Sequence, residues 1–212
     1  IYDYWFVQFD FPDENDKPYK KNGGTLIWNN KLKKKIPTDW SSILISNLLE
    51  REKNIKQIPS SEIQIEGKIP VIDQSMDFIS GYTNDSESLI KIGEPKIIFG
   101  DHTRALKLIN FDFAKGADGT KILLSNNKRV PQHLFYLSLS KIDLSNYGYA
   151  RHFQFLKDID IILPSLDIAK KFESLAQINF DEIKKNVVKN IELSKFKNLL
   201  LPLLINEKIN VN

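Results

Sequence analysis

Ile69-Pro70-Val71-Ile72-Asp73-Gln74-Ser75 opens the decisive part of this chain, and Ile79-Ser80-Gly81-Tyr82-Thr83-Asn84-Asp85 continues it. Ile97-Ile98-Phe99-Gly100-Asp101-His102-Thr103-Arg104 comes next, and Phe113-Ala114-Lys115-Gly116-Ala117-Asp118-Gly119-Thr120-Lys121-Ile122-Leu123-Leu124 closes it. Each block is a short β-rich run that delivers the chain into a polar turn. Gly supplies backbone angles that other residues avoid, and Asp or Asn can close a turn on the backbone. Ordinary β-turns would account for each block singly. Loops carried on a rigid sheet also hold polar side chains outward, ready for a polar ligand.

Working outward, strands are expected at Ile69-Ile72, Lys96-Phe99, Ala105-Phe111, Lys121-Leu124 and Asp160-Leu163. Residues Lys17 to Lys35 read as a polar linker with a small hairpin around Thr25-Trp28. Ser42 to Leu49, apolar at Ile43, Ile45, Leu48 and Leu49, has the spacing of a short helix, and Pro131 to Leu139 suits a helix begun by proline. From Ser165 to Leu201 there is neither Gly nor Pro. Apolar residues recur there at Ala169, Phe172, Ala176, Phe180, Ile183, Val187 and Ile191, in steps of three or four, which marks one side of a long helix. Such a stripe either folds back on its own domain or wants a partner helix. Pro202 is expected to end or kink the helix, with Asn206 a stop.

The ordered blocks PVIDQS, ISGYTND, FGDHTR and GADGTKIL resemble the target recognition domain of the specificity (S) subunit of type I restriction-modification systems. The similarity reaches further. Ile36-Pro37-Thr38-Asp39-Trp40 resembles the entry into that domain, and Asn146-Tyr147-Gly148-Tyr149-Ala150-Arg151-His152-Phe153 its late loop. Tyr4-Trp5-Phe6-Val7-Gln8-Phe9-Asp10-Phe11-Pro12 resembles the aromatic segment between the two halves of such subunits, and Leu199 to Ile209 their tail. Ile1 is no natural start and the one methionine is Met76, so the chain is expected to be the second half of a two-half subunit, with a natural half subunit as the alternative. The resemblance implies an α+β fold: residues 1–35 as the inter-half segment and linker, 36–164 as a β-dominated recognition domain, and 165–212 as a long helix and tail that packs against a partner helix. It also implies partners: double-stranded DNA, methyltransferase subunits, restriction/translocase subunits reached through the complex, and the other half or a second copy of the chain.

Composition is compatible with this. A chain of 212 residues with 42% hydrophobic content holds one substantial domain plus an appended element. The absence of cysteine excludes disulfides and Cys-based zinc sites. No signal peptide or bilayer-length apolar run is read, so a cytoplasmic protein without a membrane partner is expected. The formal charge is only +3, but its distribution is uneven. Asp39 to Pro95 carries five basic and ten acidic residues, whereas Lys96 to Lys157 carries ten basic and four acidic. The second half is the candidate face toward phosphates.

Catalytic signals are weak. No Pro-Pro pair of an adenine methyltransferase occurs, and Gly116-Ala117-Asp118-Gly119 has turn spacing rather than a nucleotide fingerprint. Glu66-Gly67-Lys68 matches half of a nuclease signature without a convincing upstream acid. Asp101-His102 suggests a base or metal ligand only in isolation, because His133 and His152 lie far along the chain. No catalytic residue, cofactor or metal is expected. The rival readings are a fragment of a fused restriction enzyme or methyltransferase, and a structural helix-pairing module.

For DNA reading, side-chain chemistry and loop position nominate the contacts. Gln74 and Asn84 can pair bidentately with adenine, and Arg104 or Arg151 with guanine. Ser75, Thr103, Lys115, Lys121 and Lys128 suit phosphates. Tyr82, Tyr147 and Tyr149 offer rings, and His102 completes the set. Asp101, Asp118, Gly100, Gly116 and Gly119 are read as loop-shaping. Phe172, Ala176, Phe180, Ile183, Val187 and Ile191 form the helix-pairing stripe.

Overall fold

The computed structural model describes residues 1–51, 54–117, 119–148 and 151–205. One compact unit runs Ile1–Ser174, and a second begins at Leu175. After a single π-helical turn at Asp3–Val7, the strands and helices follow in this order: β1 (Leu26–Asn29), β2 (Lys34–Pro37), β3 (Ser41–Leu44), α1 (Ile45–Leu48), β4 (Gln57–Ile58), β5 (Ile69–Ile72), β6 (Gly81–Thr83) and β7 (Leu89–Ile90). Then come β8 (Lys96–Gly100), β9 (Leu106–Ile109), β10 (Phe113–Gly116), β11 (Thr120–Leu123), α2 (Gln132–Leu139), α3 (His152–Lys157), β12 (Asp160–Leu163) and α4 (Leu166–Ile205). Among the described residues no helix is long and apolar enough to cross a membrane.

The expected hairpin near Thr25-Trp28 is β1–β2, with Ile27 opposite Ile36. The helix expected over Ser42 to Leu49 is corrected: its first part is β3. Ile43 pairs with Ile161 of β12 in an antiparallel ladder, and that tertiary pairing overrides the helical spacing of the apolar residues. The centre of the main sheet is β10, which lies between β4 and β5, parallel to both, and also pairs with β7. All four of its residues are buried. Val71, Ala114 and Ile58 form the core of this sheet, with Ile63 and Ile69 packed against it. A second sheet runs β11-β8-β9, all antiparallel, with Ile98 opposite both Ile122 and Lys107.

An aromatic floor closes the first unit. Phe11 stacks on Trp40 with ring centroids 4.7 Å apart, and Phe6 and Phe9 approach the same indole at 5.5 and 5.8 Å. Phe172, fully buried near the start of α4, meets Phe6 edge-on at 4.9 Å and Trp5 at 5.8 Å. Offset and edge-to-face pairs of this kind add about 0.5–1.5 kcal/mol each beyond the area they bury. The floor joins the N-terminal aromatic segment, the entry into the domain at Trp40 and the first turns of α4. Glu173 adds a polar tie, its Oε1 2.7 Å from Nδ1 of His133 on α2.

Of the two outcomes expected at Pro202, an end or a kink, the helix does not take the first. It is described to Ile205, 40 residues, with Pro202 inside it; the proline forfeits only the hydrogen bond that its own N–H would have made four residues back. Asn206, expected as the stop, lies outside the described residues. The apolar stripe divides by burial. Phe172 and Ala176 are buried, Phe180, Val187 and Ile191 are half-buried, and Ile183 is 50% exposed. Leu193, Phe196, Leu199 and Leu201 in the second unit are also exposed.

Candidate nucleic-acid interface

Four loops of the first unit converge on one rim. The first follows β5 at Asp73, the second joins β8 to β9 at Asp101–Arg104, the third joins β10 to β11, and the fourth leads into α3 near Gly148. Sequence neighbours do not hold them together. Thr103 Oγ1 donates to the Gln74 carbonyl, and the His102 N–H donates to Gln74 Oε1 at 3.1 Å. The Asp101 N–H donates to the Gly119 carbonyl at 2.8 Å. The Asp101 carbonyl accepts from the His152 N–H at 2.8 Å, and Asp101 Oδ1 accepts from the Phe153 N–H at 2.9 Å. Buried His152 sets Nδ1 3.0 Å from the Asp101 carbonyl and Nε2 3.0 Å from that of Gly148. Asp101 is thus the hub of three loops, itself only 6% exposed.

Close approach is built into the third loop. A Cβ at residue 116 would lie 2.5 Å from Asp73 Cβ, and one at residue 119 would meet the Gln74 amide at 2.7 Å. Gly119 also sits at φ +74°, where other residues are strained. The first loop is tied from beneath by Lys107 of β9, a buried lysine whose Nζ donates to the carbonyls of Asp73 and Asp77. Asp73 in turn accepts from the Ser75 N–H at 2.8 Å and from the Ser80 hydroxyl. Burial alone would raise the Asp73 pKa. The Ser80 and Ser75 bonds and the Lys107 ammonium outweigh it and hold the carboxyl below its ordinary value.

On this rim stand several of the nominated side chains. Thr103, Arg104 and Arg151 are exposed, while Gln74, Ser75 and His102 are half-buried. Arg104 takes a left-handed φ of 63° because its N–H donates to Gly100 while the Gly100 N–H donates to Ala105, a tight reversal of β8 into β9. It lines a cleft of about 290 Å³ together with Asp143 and Leu144. Tyr147 is 43% exposed and stacks on Phe155 at 4.1 Å. Lys121 projects from β11 with Nζ 5.8 Å from the Phe153 ring centre. Tyr149 and Asp118 lie outside the described residues.

Other nominated residues are elsewhere. Asn84 follows β6, and Ile69 is opposite Thr83, so Asn84 sits at the start of β5 while Gln74 sits at its end. Its amide is engaged there, accepting from the Lys68 N–H and donating to Gln64 Oε1. Tyr82 is opposite Pro70 within the same hairpin. Lys128 is exposed but lies past the opposite end of β11, beside Arg129, whose guanidinium binds the carbonyls of Leu163 and Pro164. Lys115 corrects the phosphate expectation most sharply: in the central strand it is 3% exposed. The sequence displays its charge but not its burial. Two rim residues escaped the sequence reading. Met76 is 78% exposed and Phe78 40% exposed on the first loop, apolar groups in a stretch that reads as a polar turn. Among the described residues no group of three or more His, Cys, Asp or Glu is placed to hold a metal ion.

No family model matches the chain. Two relatives do. The MjaIX type I restriction enzyme specificity subunit of Methanocaldococcus jannaschii is 26% identical over 231 aligned residues, covering 98% of this chain and 51% of that subunit. The EcoR124I/EcoR124II specificity subunit of Escherichia coli is 35% identical over 71 residues, 32% of this chain and 18% of that protein. The chain is related to type I specificity subunits. Its fold agrees: a type I restriction-modification S subunit from M. genitalium superposes with a TM-score of 0.50 at 17% identity, over 77% of this chain and 45% of that one. The chain spans about half the length of the M. jannaschii subunit and of the solved S subunit.

Proposed function

We propose that the chain reads double-stranded DNA as the recognition domain and long helix of a type I specificity subunit, and does no chemistry itself. In this reading it covers one part of a two-part target and directs methyltransferase subunits, and through the complex restriction/translocase subunits, to it. The observation that carries the reading is the convergence of four sequence-distant loops into one rim bearing Gln74, Thr103, Arg104, Tyr147 and Arg151. Bidentate base-edge contacts from such groups specify sequence, and neighbouring cations and hydroxyls position the backbone. The half-exposed stripe at Phe180, Ile183, Val187 and Ile191 supports pairing with a second long helix, from another half or another copy.

The test is binding of the chain, assembled with its methyltransferase subunits, to its target and to single-base variants of it. Arg104→Lys and Arg151→Lys keep charge but lose the planar fork. Each is expected to lose about 1–3 kcal/mol of discrimination at one target position. If both variants keep wild-type discrimination at every position, the rim is not the reading face.

A further inference from the structure

Phe153 lies in the first turn of α3, the element that leaves the rim, and two ammonium groups share its ring. Lys121 Nζ lies 5.8 Å from the ring centre and Lys157 Nζ lies 5.3 Å from it. These lysines come from different places. Lys121 is on β11 opposite Phe99, and Lys157 is in the last turn of α3. The ring is their common anchor and is itself fixed. Its backbone N–H donates to Asp101 Oδ1, and Phe99 packs 6.3 Å away. All three side chains are half-buried, so the lysine stems are confined while the site stays open to solvent.

Two ammonium groups gathered on one ring concentrate positive charge beside the rim, and the quadrupole of the ring attracts that charge without neutralising it. The counter-charge is left for an anion from outside to supply. We infer that Lys121, Phe153 and Lys157 form a clamp for the sugar-phosphate backbone of DNA, next to the reading rim and independent of base sequence. Neither Phe153 nor Lys157 is among the rim groups nominated for base or phosphate contact, and the clamp rests on the DNA-reading proposal. The connection to the rim is short and rigid. Asp101, the loop hub, holds the N–H of the very residue whose ring gathers the lysines, so a phosphate seated here fixes the distance from backbone to loops. Such a contact sets register without carrying sequence information.

The ring and the cations have separable roles, which makes the clamp testable. Lys157→Ala and Lys121→Ala each remove one cation. Each should weaken binding to target and non-target duplexes alike, by about fivefold at moderate salt, and reduce the slope of log affinity against log salt by about 0.9. Phe153→Leu keeps both charges and an apolar side chain but releases the lysines. It should weaken binding with an unchanged slope. Lys157→Arg should restore most of the loss caused by Lys157→Ala. The experiment is fluorescence anisotropy with the assembled S–methyltransferase complex, on labelled target and scrambled 30-mer duplexes across a salt series, the duplex length being about three helical turns. If the wild type binds target no better than scrambled duplex, the reading proposal fails and the clamp with it. If the wild type discriminates while both lysine variants keep its affinity and slope, the clamp alone is wrong. A loss confined to the target duplex also overturns it, because that would make these groups base readers.

Discussion

The aromatic floor and the polar rim lie in one compact unit and are held by opposite means. At the floor, Trp40 is covered by Phe6, Phe9 and Phe11, and Phe172 is enclosed by Trp5 and Phe6, so position follows from buried area and ring geometry. At the rim, the fixed points are hydrogen bonds to the main chain at Gln74, Asp101, Gly119 and Gly148. Burial is forgiving about chemistry and strict about volume; hydrogen bonds are the reverse. The floor therefore sets the stability of the unit, while the rim sets the relative placement of loops at little cost in core. The two regions should fail differently when broken.

Truncating the floor should have the largest effect. Phe172→Ala removes a fully buried ring and is expected to cost about 3–5 kcal/mol, read from urea unfolding of the chain. A value below about 1 kcal/mol would mean that this side chain serves a partner instead of its own domain. Further along the same helix the outcome should invert. Phe180→Asp with Ile183→Asp is expected to leave the unfolding midpoint of the first unit unchanged while abolishing helix-mediated association, through charge that a paired seam would bury. Unaltered sedimentation of that double variant would remove the partner-helix proposal.

Breaking the rim should cost less and stay local. Asp101→Ala leaves the Phe153 N–H without its acceptor, for about 1–3 kcal/mol, and should raise hydrogen exchange at Phe153 while amides around Trp40 keep their protection. Equal loss of protection at both places would show that rim and floor unfold as one.

The smallest effect is a matter of pH. Asp73 has a depressed pKa in the folded chain, so its contribution is present above the ordinary carboxylate value of about 4 and is lost as pH falls through the lower folded value. Asp73→Asn should be less stable than the wild type at neutral pH by about 1 kcal/mol, and the two acid-unfolding curves should draw together below about pH 4. A gap that persists unchanged at low pH would assign the effect to shape instead of charge.

The floor was the more legible region in sequence. Long-range periodicity gives α4, the strands at Ile69–Ile72 and Asp160–Leu163 have the expected bounds, and the β1–β2 hairpin falls where the turn chemistry puts it. Of the elements that escaped, two show the physical reason most plainly. β10 has no alternation to detect because all four of its residues are buried, and it ends in a glycine of a turn. β3 carries helix-like spacing and becomes a strand only through its partner β12, far away in sequence. At the rim, the polar turns themselves were legible but their meeting was not, since Thr103 reaches Gln74 across 29 positions and Asp101 reaches Phe153 across 52. The same limit misplaced Asn84, which an antiparallel reversal carries to the far end of β5, and Lys115, whose charge gave no hint of a central strand.

Most of the oxygens that pin the rim belong to the main chain, and every amino acid has one. Side chains at Met76, Arg104, Tyr147 and Arg151 can therefore be exchanged while those pins remain. A collection of variants randomised at these four positions should contain many folded members with altered sequence preference, whereas randomising Asp101 or Gly119 should yield few. The rim behaves as a keyboard whose keys lift out while the frame beneath them keeps its shape.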